Sequence, residues 1–175
     1  MVRETDPDPD TSKVRLRVPT PEDGATLWRL AQACPPLEVN TCYAYVLLCT
    51  HFAETCVLAE CDGEPVGYVT GYIPPTQSDT VFVWQIGVAP AGRGKGLGVT
   101  MLRALFSREI CRDVRYMDTT ITPSNTVSRR LFARVAEKMG APHEACPFMS
   151  KELFAGESHE PEDLIRIGPL PDGGA

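Results

Sequence analysis

A glycine-rich segment at residues 93–98, Arg-Gly-Lys-Gly-Leu-Gly, is the part of the chain whose composition points most directly to chemistry. It separates an apolar run, Thr80 to Val88, from a segment with the periodicity of an amphipathic helix. Glycine lacks the Cβ atom that would keep a ligand away from the backbone, so successive amide N–H groups can converge on an anion at the positive end of the helix. The segment therefore predicts a phosphate-binding loop.

Two familiar nucleotide-binding loops do not fit this pattern. A P-loop requires Ser or Thr directly after its lysine, and Lys95 is followed by Gly96. A dinucleotide-binding fold places an acidic residue about 20 residues further on, at the end of the next strand, whereas Asp118 lies inside the predicted strand. From the loop alone, a connection without a ligand, in which Arg93 and Lys95 are simply solvated, stays open as the alternative.

Hydrophobic periodicity and turn residues predict the elements that must position this loop. The run Thr80–Val88 is rich in β-branched and aromatic residues, which predicts a central strand buried on both faces. The order of elements predicts an α/β fold with a mixed sheet, in one folded domain over residues 13–167 between tails at 1–12 and 168–175. Strands are expected over 14–18, 56–61, 65–73, 80–88, 116–121, 146–151 and 164–167, and helices over 21–34, 40–51, 97–106 and 124–139.

Composition narrows the class of partner. Lys and Arg total 17 against 23 Asp and Glu, and this net charge of -6 disfavours nucleic acid and anionic membranes while suiting a cationic substrate. The chain lacks both a signal-peptide pattern at its start and an apolar run of the ~20 residues that a membrane span needs, so we expect a cytoplasmic protein. The seven cysteines are expected to be reduced and mostly buried, with Cys42 the one considered for reactivity, and the three scattered histidines suggest no metal site.

The glycine segment resembles the pyrophosphate loop of the GCN5-related N-acetyltransferases. Arg93, Gly96 and Gly98 match its R-x-x-G-x-G form, which in that family follows the fourth strand and binds the pyrophosphate of acetyl-CoA. Asn125 is a second match, since it opens the helix after the next strand as in the family's segment beside the pantetheine arm. The order of elements over residues 14–139 matches as well. The resemblance implies the mixed central sheet of that family, with splayed central strands and flanking helices, and acetyl-CoA as cosubstrate.

Segments 35–45, 73–88 and 93–97 look like those of one branch of that family, the L-2,4-diaminobutyrate acetyltransferases of ectoine biosynthesis. This likeness covers most of residues 14–167. It implies acetyl transfer to the side-chain amine of L-2,4-diaminobutyrate, giving N4-acetyl-L-2,4-diaminobutyrate. It also favours a homodimer, and the last strand, 164–167, is separately expected to pair or exchange between subunits. An acetyltransferase for another small amine and a non-catalytic acyl-CoA-binding module stay as alternatives.

The resemblance assigns site residues around the gap between the two central strands. Pantetheine is expected to pair with the backbone at Ile86 and Val88, with Gly87 permitting a bulge or a close approach. The residues expected to bind the cosubstrate are Ile86, Gly87, Val88, Arg93, Gly94, Lys95, Gly96, Leu97, Gly98, Val99 and Asn125. The residues expected to bind the acceptor, through carboxylates and through rings capable of cation–π contact, are Glu38, Tyr43, Trp84, Glu157 and His159.

Acid–base chemistry is where the chain departs from the family pattern. The tyrosine that often follows the helix asparagine by seven residues is Phe132, and Trp84 and Gln85 supply no carboxylate on the central strand. The candidate catalytic residues are therefore Glu38 and Tyr43, acting through water, with positioning of the amine contributing most of the rate.

Overall fold

A seven-stranded mixed sheet organises residues 14–154 and 159–171, which are the residues described by the structure, a computed structural model. The strand order is β1-β2-β3-β4-β5-β7-β6, and neighbouring strands are antiparallel except for the central parallel pair, β4 and β5. The predicted mixed α/β fold and the central place of the fourth strand are confirmed. The elements are β1 (Val14–Arg17), α1 (Gly24–Gln32), α2 (Cys42–His51), β2 (Val57–Cys61), β3 (Glu64–Tyr72), β4 (Thr80–Val88), α3 (Leu97–Phe106), β5 (Tyr116–Ile121), α4 (Thr126–Met139), β6 (His143–Met149) and β7 (Glu162–Ile167).

Side-chain caps determine where two of the helices begin. The Thr41 hydroxyl accepts a hydrogen bond from the Ala44 amide at 3.3 Å, so α2 starts after Thr41 and two residues later than predicted. The Asn125 side-chain oxygen accepts from the Ser128 amide at 3.1 Å and starts α4 in the same way. Each cap satisfies an amide that has no acceptor within its own helix.

The helices cover the two faces of the sheet with separate hydrophobic cores. Helices α3 and α4 pack on one face, where Met101, Leu105 and Val135 are fully buried. Helices α1 and α2 pack on the other face, where Leu27 and Tyr45 are fully buried. Of the helices in residues 14–154 and 159–171, none is long and apolar enough to cross a membrane.

The end of the chain is arranged differently from the prediction. Strand β7 lies between β5 and β6 and pairs with both, so the expectation that the last strand pairs with a second subunit is wrong, while exchange of this strand between subunits stays a prediction. The reason is its apolar alternation: Ile165 and Ile167 are buried in the α3–α4 core, and β5 takes β7 as its antiparallel neighbour. The outer strand on this side of the sheet is β6, and its side chains from His143 to Phe148 are exposed.

Candidate functional site

The two central strands separate at their carboxyl ends. Residues 80–82 of β4 pair with residues 116–118 of β5, and within the described residues their pairing stops there. The prediction that β4 is buried on both faces is therefore wrong for its second half, where Trp84 is 38% exposed and Ile86 and Val88 are only partly buried. The result is a gap bordered by the unpaired side of β4.

The backbone of Ile86 and Val88 faces this gap. The Ala89 amide donates to the Val66 carbonyl of β3 at 2.8 Å, which identifies Ala89 as a residue whose backbone groups point towards β3. Because this direction alternates along a strand, the Gly87 backbone also points to β3, and Ile86 and Val88 present their N–H and C=O groups on the opposite side. The Val88 carbonyl is aligned accordingly, and accepts a hydrogen bond from Arg93 Nε at 3.1 Å.

A β-bulge lies at Trp84 and not at Gly87. Thr70 of β3 pairs with Gln85 and Gly71 pairs with Val83, so Trp84 is the extra residue between them. Gly87 is regularly paired with Tyr68. Glycine is needed at this position because a Cβ atom would lie 2.6 Å from the Tyr68 ring. The bulge reverses the alternation, so that Val83 and Ile86 both pack on the α3–α4 core while Gln85 is buried on the α1–α2 side.

The glycine-rich loop connects the end of β4 to α3. Gly96 is the residue before the helix and has a left-handed backbone (φ +68°), which leaves the amides of Leu97, Gly98 and Val99 in the first helical turn, where a helix offers them no acceptor. These amides and the positive end of the helix dipole form an anion-binding arrangement. The hydrogen bond from Arg93 to Val88 ties the loop to the strand that borders the gap.

Two of the residues assigned to the cosubstrate have an evident structural use. A Cβ atom at Gly98 would lie 3.0 Å from Leu131 Cδ1, so the absence of a side chain there allows α3 to approach α4. The Asn125 side-chain oxygen caps the N-terminus of α4. At the position where the family often has tyrosine, Phe132 is buried in the α3–α4 core, only 2% exposed.

The segment between α1 and α2 lies over the second half of β4. The Glu38 carbonyl accepts a hydrogen bond from Gln85 Nε2 at 2.7 Å. The Leu37 side chain lies close to Gly87, since a Cβ atom at Gly87 would be 3.2 Å from Leu37 Cδ1. The Glu38 side chain itself is exposed. Tyr43 is 69% exposed and lies two residues before the buried Tyr45, on the opposite side of α2. The segment therefore brings Glu38 next to β4 but leaves Tyr43 on the outer surface of α2.

The second group of assigned acceptor residues lies beyond β5. Strand β7 runs antiparallel to β5, with Asp163 opposite Ile121, so the residues just before β7 lie at the carboxyl end of β5. His159 stacks on Phe154 with ring centroids 3.9 Å apart, and its Nδ1 lies 2.6 Å from the Glu160 carbonyl. Since a carbonyl can only accept, Nδ1 carries the proton of the neutral ring. Glu157 lies outside the described residues.

Three buried polar residues of the site were not predicted from the sequence. Gln85 Oε1 accepts hydrogen bonds from the hydroxyls of Tyr45 at 2.9 Å and Tyr68 at 3.2 Å, and both tyrosines are fully buried. Burial raises the pKa of the Tyr68 hydroxyl, which therefore keeps its proton and remains a donor. The available signal was Gln85 itself, a polar residue within an apolar strand.

The fold, the splayed strands and the loop define an acetyltransferase of the GNAT class, and residues 25–136 match the model of the acetyltransferase (GNAT) family. The chain belongs to this family. It is 44% identical over 160 residues to the L-2,4-diaminobutyric acid acetyltransferase of Shouchella clausii, covering 91% of this chain and 89% of the relative. It is 41% identical to the enzyme of the same name from Halomonas elongata over 162 residues, covering 92% and 84% of the two chains.

Solved structures agree with this assignment. The diaminobutyrate acetyltransferase EctA from Paenibacillus lautus, in complex with its substrate L-2,4-diaminobutyric acid and coenzyme A, superposes with a TM-score of 0.86. It is 38% identical, and the alignment covers 90% of this chain and 96% of that one. Ard1 from Thermoplasma volcanium, at 19% identity and a TM-score of 0.68 over 89% of this chain and 97% of that one, shares the fold.

Proposed function

We propose that this chain transfers the acetyl group of acetyl-CoA to the side-chain amine of L-2,4-diaminobutyrate, producing N4-acetyl-L-2,4-diaminobutyrate for ectoine biosynthesis. The observation that carries the proposal is the continuous arrangement of the gap-facing backbone of Ile86 and Val88 with the glycine loop at the end of the same strand. Extended pantetheine fits beside β4 as an added strand, and the pyrophosphate fits the amides at the start of α3. The similarity to EctA, which binds diaminobutyrate and coenzyme A, supports the choice of acceptor.

The reaction needs little covalent help from the protein. The neutral amine attacks the thioester carbonyl, and the resulting oxyanion is stabilised by a backbone amide on the gap side of β4, at Ile86 or Val88. The intermediate then expels the CoA thiolate, and the proton lost by the amine neutralises it, so that an amide and free CoA are formed. Glu38 and Tyr43, acting through water, are proposed for proton transfer. The residues proposed for binding the acceptor are Glu38, Tyr43, Trp84, Glu157 and His159.

The test is an acceptor panel incubated with acetyl-CoA, comprising diaminobutyrate, the one-carbon-shorter and one-carbon-longer diamino acids, and 2-aminobutyrate, which lacks the side-chain amine. Released CoA is separated by chromatography, because free thiols of the protein can also react with a colorimetric thiol reagent. We expect preferential turnover of diaminobutyrate and, by two-dimensional NMR, acetylation at N4. Equal turnover of the longer homologue would favour another small amine, and CoA binding without turnover would favour a non-catalytic module.

Carboxylate variants test the acceptor assignment. Because Glu38 is exposed, Glu38→Gln is expected to raise the KM for diaminobutyrate by up to about fivefold, with the KM for acetyl-CoA unchanged. Glu157→Gln is expected to act in the same direction. Unchanged constants in both variants would move the ammonium-binding site elsewhere.

We further propose a homodimer formed through β6. This strand is one of the two outer edges of the sheet, its side chains from His143 to Phe148 are exposed, and Phe148 is 55% exposed. An exposed apolar edge is a surface that proteins normally cover. Light scattering after size exclusion should give a dimer for the wild type and a monomer for Phe148→Asp, and a monomeric wild type would refute the proposal.

A cytoplasmic location and a role in osmoprotection extend the proposed function. The location is supported by the use of acetyl-CoA and by the seven cysteines, all of which are free thiols and four of which are buried. Fractionation of the source cells, together with ectoine measurements in a deletion strain under salt stress, tests both.

A further inference from the structure

The carboxamide of Gln85 is hydrogen-bonded through both of its ends. Its oxygen accepts from the hydroxyls of Tyr45 in α2 and Tyr68 in β3, and its nitrogen donates to the Glu38 carbonyl at 2.7 Å. Gln85 is only 7% exposed, and both tyrosines are fully buried. A single side chain of β4 therefore joins a strand, a helix and the segment that precedes that helix.

The direction of each hydrogen bond follows from chemistry. The Glu38 carbonyl can only accept, so the nitrogen of the carboxamide must face it and the oxygen must face the two hydroxyls. The Tyr45 oxygen in turn lies 3.4 Å from the Asn40 amide, which donates to it. The arrangement holds residues 38 and 40 by their backbone and has one consistent set of donors and acceptors.

We propose that Gln85 is a positioning residue that sets the place of the acceptor relative to the thioester. This inference rests on the proposed function, in which Glu38 contacts the acceptor and Ile86 borders the thioester. Gln85 and Ile86 are adjacent in β4 and present their side chains to opposite faces of the sheet. The hydrogen bond from Gln85 to the Glu38 backbone therefore fixes the position of the acceptor-binding segment relative to β4, the strand that binds the cosubstrate. It thereby sets the distance between the acceptor amine and the thioester carbonyl.

Removal of the carboxamide should affect one substrate and spare the other. In Gln85→Leu the Glu38 carbonyl and the two hydroxyls lose their buried partner, so the Glu38 backbone loses its hydrogen bond to β4. We expect the KM for diaminobutyrate to rise by about tenfold. The KM for acetyl-CoA should stay within about twofold of the wild type, because the phosphate-binding loop before α3 is unchanged.

The Gln85→Glu variant distinguishes a role in positioning the acceptor from a purely structural role. The charged carboxylate places an acceptor against the Glu38 carbonyl, whereas the protonated acid reproduces the donor and acceptor pattern of glutamine. The titratable and charged side chains around Gln85 are Tyr45 and Tyr68, which donate to it, Cys34 near Tyr68, the Arg93 guanidinium near Cys34, and the exposed Glu38. Burial raises the pKa of Tyr68 and of Cys34, so these two stay neutral. The ratio of kcat/KM for diaminobutyrate in the variant to that in the wild type should therefore rise as the pH is lowered from 8 to about 6.

Thr70→Val is the matched control. Thr70 pairs with Gln85 across β3 and β4 and is fully buried, and its hydroxyl lacks a hydrogen-bond partner among the described residues. This variant should have wild-type constants at every pH. A tenfold loss in Thr70→Val, or an unchanged KM for diaminobutyrate in folded Gln85→Leu, would overturn the inference.

Hydrogen exchange separates this inference from the proposed function. Amides of residues 37–41 should exchange faster in Gln85→Leu than in the wild type, while those of residues 93–99 should not change. A wild type that does not acetylate diaminobutyrate would refute the proposed function, and the exchange comparison would still decide whether Gln85 holds the segment. Equal exchange of residues 37–41 in both proteins would refute the inference even for an active enzyme.

Discussion

Replacing Gly96 by alanine perturbs the phosphate-binding loop through the backbone alone. Gly96 precedes α3 with φ +68°, and an ideal Cβ atom there would have at least 4 Å of free space from the described residues. Alanine therefore meets no steric clash and only the cost of the left-handed conformation, about 1–2 kcal/mol. If the backbone relieves this cost by rotating, the amides of Leu97, Gly98 and Val99 no longer converge on one point.

Gly140 offers a control with nearly the same local energetics. It follows α4 with φ +63°, and a Cβ atom there would also have at least 4 Å of free space. Gly96→Ala and Gly140→Ala should each lower the free energy of unfolding by about 1–2 kcal/mol, a decrease in Tm of roughly 2–8 °C for a chain of this size. Only Gly96→Ala should weaken CoA binding, by about 10- to 100-fold if one or two amide contacts to phosphate are lost.

Calorimetric titration with CoA and urea unfolding of the three proteins measure these quantities independently. A CoA affinity for Gly96→Ala equal to that of the wild type would refute the assignment of the loop amides to the pyrophosphate. An equal loss in Gly140→Ala would show that general destabilisation causes the effect.

Three further outcomes follow from single contacts. The Arg17 guanidinium holds the pKa of Asp23 at about 2, below its usual 3.8; because the folded state has the lower pKa, this ion pair stabilises the protein above about pH 4 and the benefit is lost as the pH falls towards 2. Asp23→Asn should accordingly lower the unfolding free energy by about 1–2 kcal/mol at pH 7 and leave it unchanged at pH 2, and a difference independent of pH in urea titrations would contradict this origin. Asn125→Ala should cost about 1 kcal/mol through loss of the α4 cap, with Asn125→Asp restoring stability, and a failure of aspartate to do so would assign the loss to another contact. Burial raises the pKa of the Cys56 thiol to about 11, so at pH 8 only about one molecule in a thousand carries this thiolate. A disulfide reagent should therefore label Cys56 only after unfolding, and rapid native labelling of Cys56, followed by mass spectrometry, would contradict this.

Local patterns predicted most of the elements because their causes are local. The β-branched run of β4 and the alternation of β5 have the predicted bounds, Thr80–Val88 and Tyr116–Ile121, and the glycine after α4 ends that helix in the left-handed conformation. The last strands were placed less well, because β6 is exposed and carries little of the apolar signal on which such predictions depend. The phosphate-binding loop was predictable since its chemistry resides in one continuous segment.

The acceptor side depends on contacts between residues far apart in the chain. Gln85 contacts Glu38, 47 residues away in the chain, and Tyr45, 40 residues away. Hydrophobic periodicity does not predict contacts between residues so far apart. The bulge at Trp84 likewise follows from the register between β3 and β4, which the sequence of β4 alone does not specify.

The sequence by itself determined the order of elements, the glycine that ends α4 and the glycine loop, since neighbouring residues supply both the signal and the structure. Only the tertiary structure decided that β4 and β5 separate after Phe82, that β7 lies between β5 and β6, and that a buried glutamine holds the segment carrying Glu38. These features depend on which surfaces are buried against each other, and the free energy of that burial belongs to pairs of distant elements.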